Sequence, residues 1–153
     1  FKQKIKRKFY RIMLSKKFHG TSIVLDDNGV LIIGDSGSGK SDLALRLIDN
    51  GATLISDDVT ICEKKLNEIF LSCPKEIKGL LEVREVGIIT VPYVEKVKLI
   101  MVVRLTDEYL KRTPEKEFLK ILNLKIPLLS IDGKSPSAVV KVKVKLNEVR
   151  EKI

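Results

Sequence analysis

The sequence predicts a single α/β domain with a mixed central β-sheet carrying one phosphate-binding loop, and three observations point there. Gly34-Asp35-Ser36-Gly37-Ser38-Gly39-Lys40-Ser41 has the form GxxxxGKS, a backbone cradle for phosphate oxygens. The apolar run Val30 to Ile33 precedes it, as a strand buried on both faces requires. Leu43, Ala44, Leu47 and Ile48 then recur at helical spacing and Ala52 to Ser56 reads as a strand. Strand, loop, helix and strand together form a compact crossover unit.

The remaining elements follow from local pattern. Thr21 to Leu25 is apolar and β-branched, hence a strand, and Asp26-Asp27-Asn28-Gly29 closes a hairpin, with Asn-Gly suited to positive φ at its centre. Asn50-Gly51 stops the helix. Val59 to Cys62 and Ile69 to Cys73 read as short strands, Leu80 to Val91 and Val97 to Leu105 as longer ones. The pattern predicts a short helix over Glu115 to Leu122 and a strand over Lys125 to Ile131. Val140 to Leu146 alternates valine with lysine like a strand, yet Ser135-Pro136-Ser137 before it suits a helix start, so both readings stay open.

Charge locates itself at one end. The 153 residues carry a net charge of +9, but eight of the 29 basic side chains lie in residues 1–17, among them Lys2, Arg7 and Arg11, with no acidic residue. The rest holds 21 basic against 20 acidic groups. This predicts a basic N-terminal arm over 1–17 ahead of one domain over 18–153, not the dispersed footprint of a nucleic-acid binder. Lysines interrupt the arm's apolar residues, so it does not read as a secretory signal. The chain opens on Phe1 rather than methionine, as a fragment of a longer protein does. No apolar stretch approaches the roughly 20 residues that span a bilayer. Cys62 and Cys73 are isolated and only one histidine is present, so no metal-ligand or redox pair is expected, and a reducing cytoplasm fits.

The loop motif specifies chemistry. Glycines admit backbone conformations that bring several N–H groups onto phosphate, and the helix adds its positive N-terminal end. Gly34, Asp35, Ser36, Gly37, Ser38, Gly39, Lys40, Ser41 and Asp42 are the candidate nucleotide-binding residues. Lys40 is placed for the β- and γ-phosphates and the Ser41 hydroxyl for magnesium. Asp57-Asp58 falls where the next strand ends, beside the phosphates. One carboxylate there suits magnesium-bound water, the other a proton from an attacking hydroxyl. No guanine-reading NKxD sequence is present, which favours ATP over GTP.

His19-Gly20, GDSGSGKS, Asp57-Asp58 and Leu80-Leu81-Glu82-Val83-Arg84-Glu85-Val86-Gly87-Ile88-Ile89, in this order, resemble the HPr kinase/phosphorylase family over residues 18 to 131. The match is to a short form with the catalytic domain alone. The resemblance implies a phosphoenolpyruvate carboxykinase-like P-loop kinase fold ending in a helix. It implies a serine kinase acting on the phosphocarrier protein HPr with ATP and magnesium, assembled as a hexamer. By motif position it makes Lys40 the phosphate-holding residue, Asp58 the general base, Asp57 its neighbour at the phosphates, His19 an active-site histidine and Glu82 a magnesium-associated residue alongside Ser41. Arg112 is matched to a catalytic arginine.

The sequence also departs from that family. Asp42 stands in place of a glutamate, and Glu85 in place of a glycine. Only Thr90 to Lys96 bridges the position of a glycine-rich loop. Asp132-Gly133-Lys134-Ser135-Pro136 replaces an arginine-containing segment linked to dephosphorylation. These changes predict a kinase with weak or absent phosphorylase activity. Two other readings remain: the same core acting on another protein or a small hydroxylated acceptor, and a non-catalytic nucleotide-binding module using its basic arm.

Overall fold

A computed structural model describes residues 14–151. Among the described residues ten strands and two α-helices follow in chain order: β1 (Ser15–Leu25), β2 (Asn28–Gly34), α1 (Lys40–Asp49), β3 (Thr53–Ser56), β4 (Val59–Lys65), β5 (Glu68–Ser72), β6 (Leu80–Val83), β7 (Gly87–Thr90), β8 (Val97–Leu105), β9 (Glu117–Ile121), β10 (Leu124–Ile131) and α2 (Ala138–Glu151), with a 3₁₀ turn at Lys75–Ile77. Ser15 to Lys17, placed in the basic arm by charge, belong to β1; residues 1–13 of that arm lie outside the described residues.

The mixed sheet runs β3, β1, β2, β8, β10, β9, with β2, β8 and β10 parallel and β1 antiparallel to β2 and β3. The first half of β1 leaves this sheet to pair with β4, which pairs β5 and so returns to the start of β8. Hydrophobic residues fill both faces. Val30, Ile32, Met101 and Val103 face the helices, where Leu43, Leu47, Val142 and Leu146 meet them. Leu31 and Val102 face a second core with Ile55, Ile69 and Leu71. Two buried faces are why β2 reads as an unbroken apolar run rather than an alternating one.

Three local expectations give way. The turn between β1 and β2 centres on Asp26 (φ 49°) and Asp27 (φ 64°), and Asn28 instead closes it by donating from Nδ2 to the Leu25 and Asp26 carbonyls. The stretch Leu80 to Val91 is not one strand but the separate hairpin β6–β7, turned at Glu85 (φ 72°). Residues 115–122 form no helix: β9 pairs with β10 through a turn at Leu122 (φ 47°) and Asn123 (φ 67°), and ladder bonds outweigh weak helical spacing. The valine–lysine tail is helical. Ala138, Val142, Leu146 and Val149 form one buried stripe while Val140 and Val144 stay exposed, so packing overrides alternation.

Candidate functional site

Register puts the site on one edge of the sheet. Gly34 is level with Leu105 and Ile131 is level with Leu105, so β2, β8 and β10 end together. β3 ends at the same edge, because both β2 and β3 pair antiparallel to β1. The segments leaving these ends are the phosphate loop, the 106–116 connection, the 132–137 turn and Asp57-Asp58. This is where ligands bind in open α/β sheets.

In the loop, Gly37 (φ 80°) and Gly39 (φ 98°) take left-handed conformations with nothing within 4 Å of where a Cβ would stand, leaving the cradle open. Gly39 caps α1 without a side-chain bond, so the helix's first N–H groups are free to point at a ligand. Lys40 is buried and its Nζ donates to the Gly34 carbonyl at 2.9 Å and the Asp35 carbonyl at 3.0 Å. The ammonium therefore curls over the loop, at the place where phosphate oxygens would replace those carbonyls.

The adjacent aspartates have opposite surroundings. Asp57 is 6% exposed and ringed by donors: the Thr21 and Ser41 hydroxyls reach Oδ1 at 2.9 and 2.7 Å, and the Glu82 backbone N–H reaches Oδ2 at 3.0 Å. Both carboxylate oxygens thus serve as acceptors, fixed from three different elements of the chain. Asp58, turned outward at φ 65°, is exposed, with Oδ1 3.6 Å from His19 Nε2. β1 and β4 bring those two together, since His19 is paired with Val59.

Ser41 and Asp57 offer hard oxygen donors beside the cradle, the set magnesium prefers. Among the described residues no group of three or more His, Cys, Asp or Glu side chains forms a metal cluster. The Glu82 backbone reaches Asp57, while its side chain stands exposed. Arg112 lies on the exposed 106–116 connection and makes no hydrogen bond or ion pair among the described residues. Asp42 is drawn away from the loop to Arg46 Nε at 3.1 Å.

Thr21 is the residue that motif reasoning passed over. Fully buried, it donates to Asp57 and accepts the Asp58 backbone N–H at 3.2 Å. In sequence it is one β-branched residue in a strand; only the return of β3 alongside β1 reveals its polar role. Both thiols are buried. Burial pushes Cys62 up to about 12 and holds Cys73 above its usual range, so neither is a ready nucleophile.

Residues 11–152 match the family model described as the HPr Serine kinase C-terminal domain. The chain belongs to the HPr serine kinase family. It is 36% identical to the HPr kinase/phosphorylase of Malacoplasma penetrans, over 84% of this chain and 49% of that protein. It is 33% identical to the HPr kinase/phosphorylase of Bacillus licheniformis, over 81% of this chain and 45% of that one. The chain thus spans about half the length of the curated relatives it matches. The solved Hpr(Ser) kinase/phosphatase from Coxiella burnetii superposes with a TM-score of 0.79 at 26% identity, covering 90% of this chain and 97% of that one. The P-loop α/β architecture read from the sequence is the architecture of this family. Glu85, which the resemblance set against a glycine, holds a left-handed turn position at φ 72°.

Proposed function

We propose that this chain is an ATP- and magnesium-dependent kinase that phosphorylates a serine of the phosphocarrier protein HPr, acting as a homo-oligomer in the cytoplasm. The observation that carries the reading is the division of labour between Asp57 and Asp58 beside the phosphate loop. One carboxylate is buried and held by three donors; its neighbour is exposed where an incoming hydroxyl can reach it.

Each residue then has a task. Backbone N–H groups of residues 35–41 and the Lys40 ammonium hold the phosphates and offset charge on the transferred group. Ser41 and Asp57, with Glu82 beside them, would hold magnesium, which when bound would neutralise charge on the phosphate oxygens. Asp58 accepts the serine proton as the serine oxygen bonds to the γ-phosphorus and the bond to the β-phosphate oxygen breaks, leaving ADP. His19 orients the Asp58 carboxylate. Arg112, exposed on the 106–116 connection, would supply positive charge to the transferred group once substrate is in place, the role that the resemblance implies for it.

Exposure favours a protein acceptor over a small one. Asp58 and His19 side chains are 65% and 60% exposed, and the short 90–96 connection provides no enclosing lid. The test is mass spectrometry of HPr after incubation with this chain and Mg-ATP, alongside an HPr variant with its target serine changed to alanine. Phosphate on the first and none on the second supports the reading; no phosphate on either removes it. Phosphorolysis is expected to be weak. Serine-phosphorylated HPr with inorganic phosphate should release pyrophosphate far more slowly than the kinase turns over, and comparable rates would overturn that part.

A further inference from the structure

β3 and β4 pair with β1 as the two halves of one strand. Ser56 stands opposite Ser22 and Val59 opposite His19, with two residues between these pairs on each strand. No residue is inserted there, so no bulge accounts for the break in the ladder at Asp57-Asp58. The break is a γ-turn. The Val59 N–H donates back to the Asp57 carbonyl at 2.7 Å, with Asp58 at the centre at φ 65°. We propose that Ser56 is a positioning residue for phosphoryl transfer: its hydroxyl holds this turn closed and so aims Asp58 at the attacking hydroxyl. The proposal rests on the kinase reading above and deepens it by naming what sets the direction of the base.

Such a turn has to be held. A γ-turn with positive φ at its centre is rare and strained, and positive φ is unfavourable for a residue with a Cβ. The register on either side matches, so a continued ladder is the competing conformation. Ser56 opposes it. Fully buried, it donates its O–H to the Val59 carbonyl and closes a ring around Asp57 and Asp58. Its Oγ also lies 3.2 Å from the buried Cys73 Sγ, a contact that holds the serine from just past the end of β5. From β1, Thr21 Oγ1 accepts the Asp58 N–H at 3.2 Å. Backbone strain persists where the surroundings over-determine it, and it clusters at functional sites. Here the strained residue is the exposed carboxylate beside His19, and the side chains that hold it are buried.

Removing the Ser56 hydroxyl takes that donor from the Val59 carbonyl and lets the backbone relax towards the ladder. Asp58 stays in place in the chain but loses its direction. The bonds of Lys40 to the phosphate loop and the three donors on Asp57 do not involve Ser56. A base turned away from the attacking oxygen slows the transfer step, which depends on close alignment of the reacting groups. Nucleotide binding is left as it was. A serine that merely fills space between β3 and β5 would show no such separation of rate from binding.

The experiment has two arms. Steady-state transfer to HPr compares the parent protein with Ser56→Ala. The kcat should fall about tenfold or more, with KM for ATP within about twofold and thermal stabilisation by Mg-ATP retained. Retained stabilisation doubles as the check that the variant is folded. The second arm reads the turn without activity. Asp58→Gly should melt about 2–4 °C above Asp58→Ala, because glycine takes positive φ without a steric penalty. With Ser56→Ala added to both, that gap should shrink by about half or more. A gap that is absent from the start, or that Ser56→Ala leaves unchanged, overturns the proposal, as does parent-like kcat in Ser56→Ala. No transfer by the parent protein removes the kinase reading and the catalytic role of Ser56 with it, while the melting gap still shows whether the serine holds the turn.

Discussion

The two sides of β2 are built on different principles. On the β1–β3 side Thr21, Ser41 and the Glu82 backbone converge on one buried carboxylate, and the buried Ser22 and Thr60 hydroxyls meet at 2.9 Å between β1 and β4. On the β8–β10 side a cavity of about 760 Å³ lies between the phosphate loop and the largely exposed 106–110 and 132–134 segments, with one arginine-centred cluster joining Arg104, Glu117 and Ser130. Chemistry on a phosphoryl group needs charge that is already in position, because reorganising it during the reaction adds to the barrier. Holding the rest of a ligand needs only complementarity. The rigid side should therefore govern rate and the open side affinity.

The sharpest test of that division is Asp58→Asn beside Lys40→Ala. Asparagine keeps the size of Asp58 but cannot take a proton, so transfer should fall by about 10² to 10⁴. Thermal stabilisation by Mg-ATP should persist. Lys40→Ala should lose both stabilisation and turnover. Transfer by Asp58→Asn at the parent rate would end the general-base assignment.

Thr21 measures how far rigidity itself matters. Thr21→Val keeps the shape of a fully buried side chain but leaves Asp57 one donor short and the Asp58 N–H without its acceptor, which should cost about 1–3 kcal/mol of stability. The kcat should drop roughly tenfold, the equivalent of about 1.4 kcal/mol of barrier, with KM for ATP little changed. Thr21→Ser should recover most of the kcat. Equal kcat in all three proteins would show that the hydroxyl merely fills space.

The same contrast explains what the sequence disclosed. The phosphate loop, α1 and the strands around them were legible because they are local: one octamer, one 3.6-residue spacing and apolar runs set by burial on both faces. Asp57-Asp58 was legible as a pair, but not which member is buried, since that depends on Thr21 and Ser41 arriving from β1 and α1. The β8–β10 side was illegible. Arg104, Glu117 and Ser130 are scattered over three strands and share no motif. β9 was also misread as helix, because its identity comes from pairing with β10 and not from its own spacing. For α2, alternation hid a stripe that only the core against β8 and β10 reveals.

On the open side, Arg46 tests whether a wall can loosen without slowing chemistry. Its guanidinium bonds Asp42 and the Gly133 carbonyl, fastening the 132–134 turn of the cavity to α1. Arg46→Ala should raise KM for ATP about three- to tenfold and leave kcat within about twofold, the signature of binding lost equally in ground and transition states. A kcat loss larger than the KM change would mean that this wall also sets phosphate geometry, and the division between the sides would blur.

The smallest effect is expected where the two sides meet. Ser38 sits in the loop between them with a buried hydroxyl that has no hydrogen-bond partner among the described residues. Its Oγ stands 2.6 Å from where a Cβ on Gly34 would be, and the Leu105 carbonyl oxygen stands 3.0 Å from the same point. A buried unpaired hydroxyl costs about 1–3 kcal/mol. Ser38→Ala should remove part of that cost and raise Tm in the absence of nucleotide by about 2–4 °C, as a gain of about 1 kcal/mol does in a domain of this size. If the hydroxyl finds a phosphate partner on binding, the Tm gained by adding Mg-ATP should shrink in the variant by a similar amount. A fall in Tm without nucleotide would mean that the hydroxyl already has a partner in the free protein, and that the loop is as fully engaged as the Asp57 side.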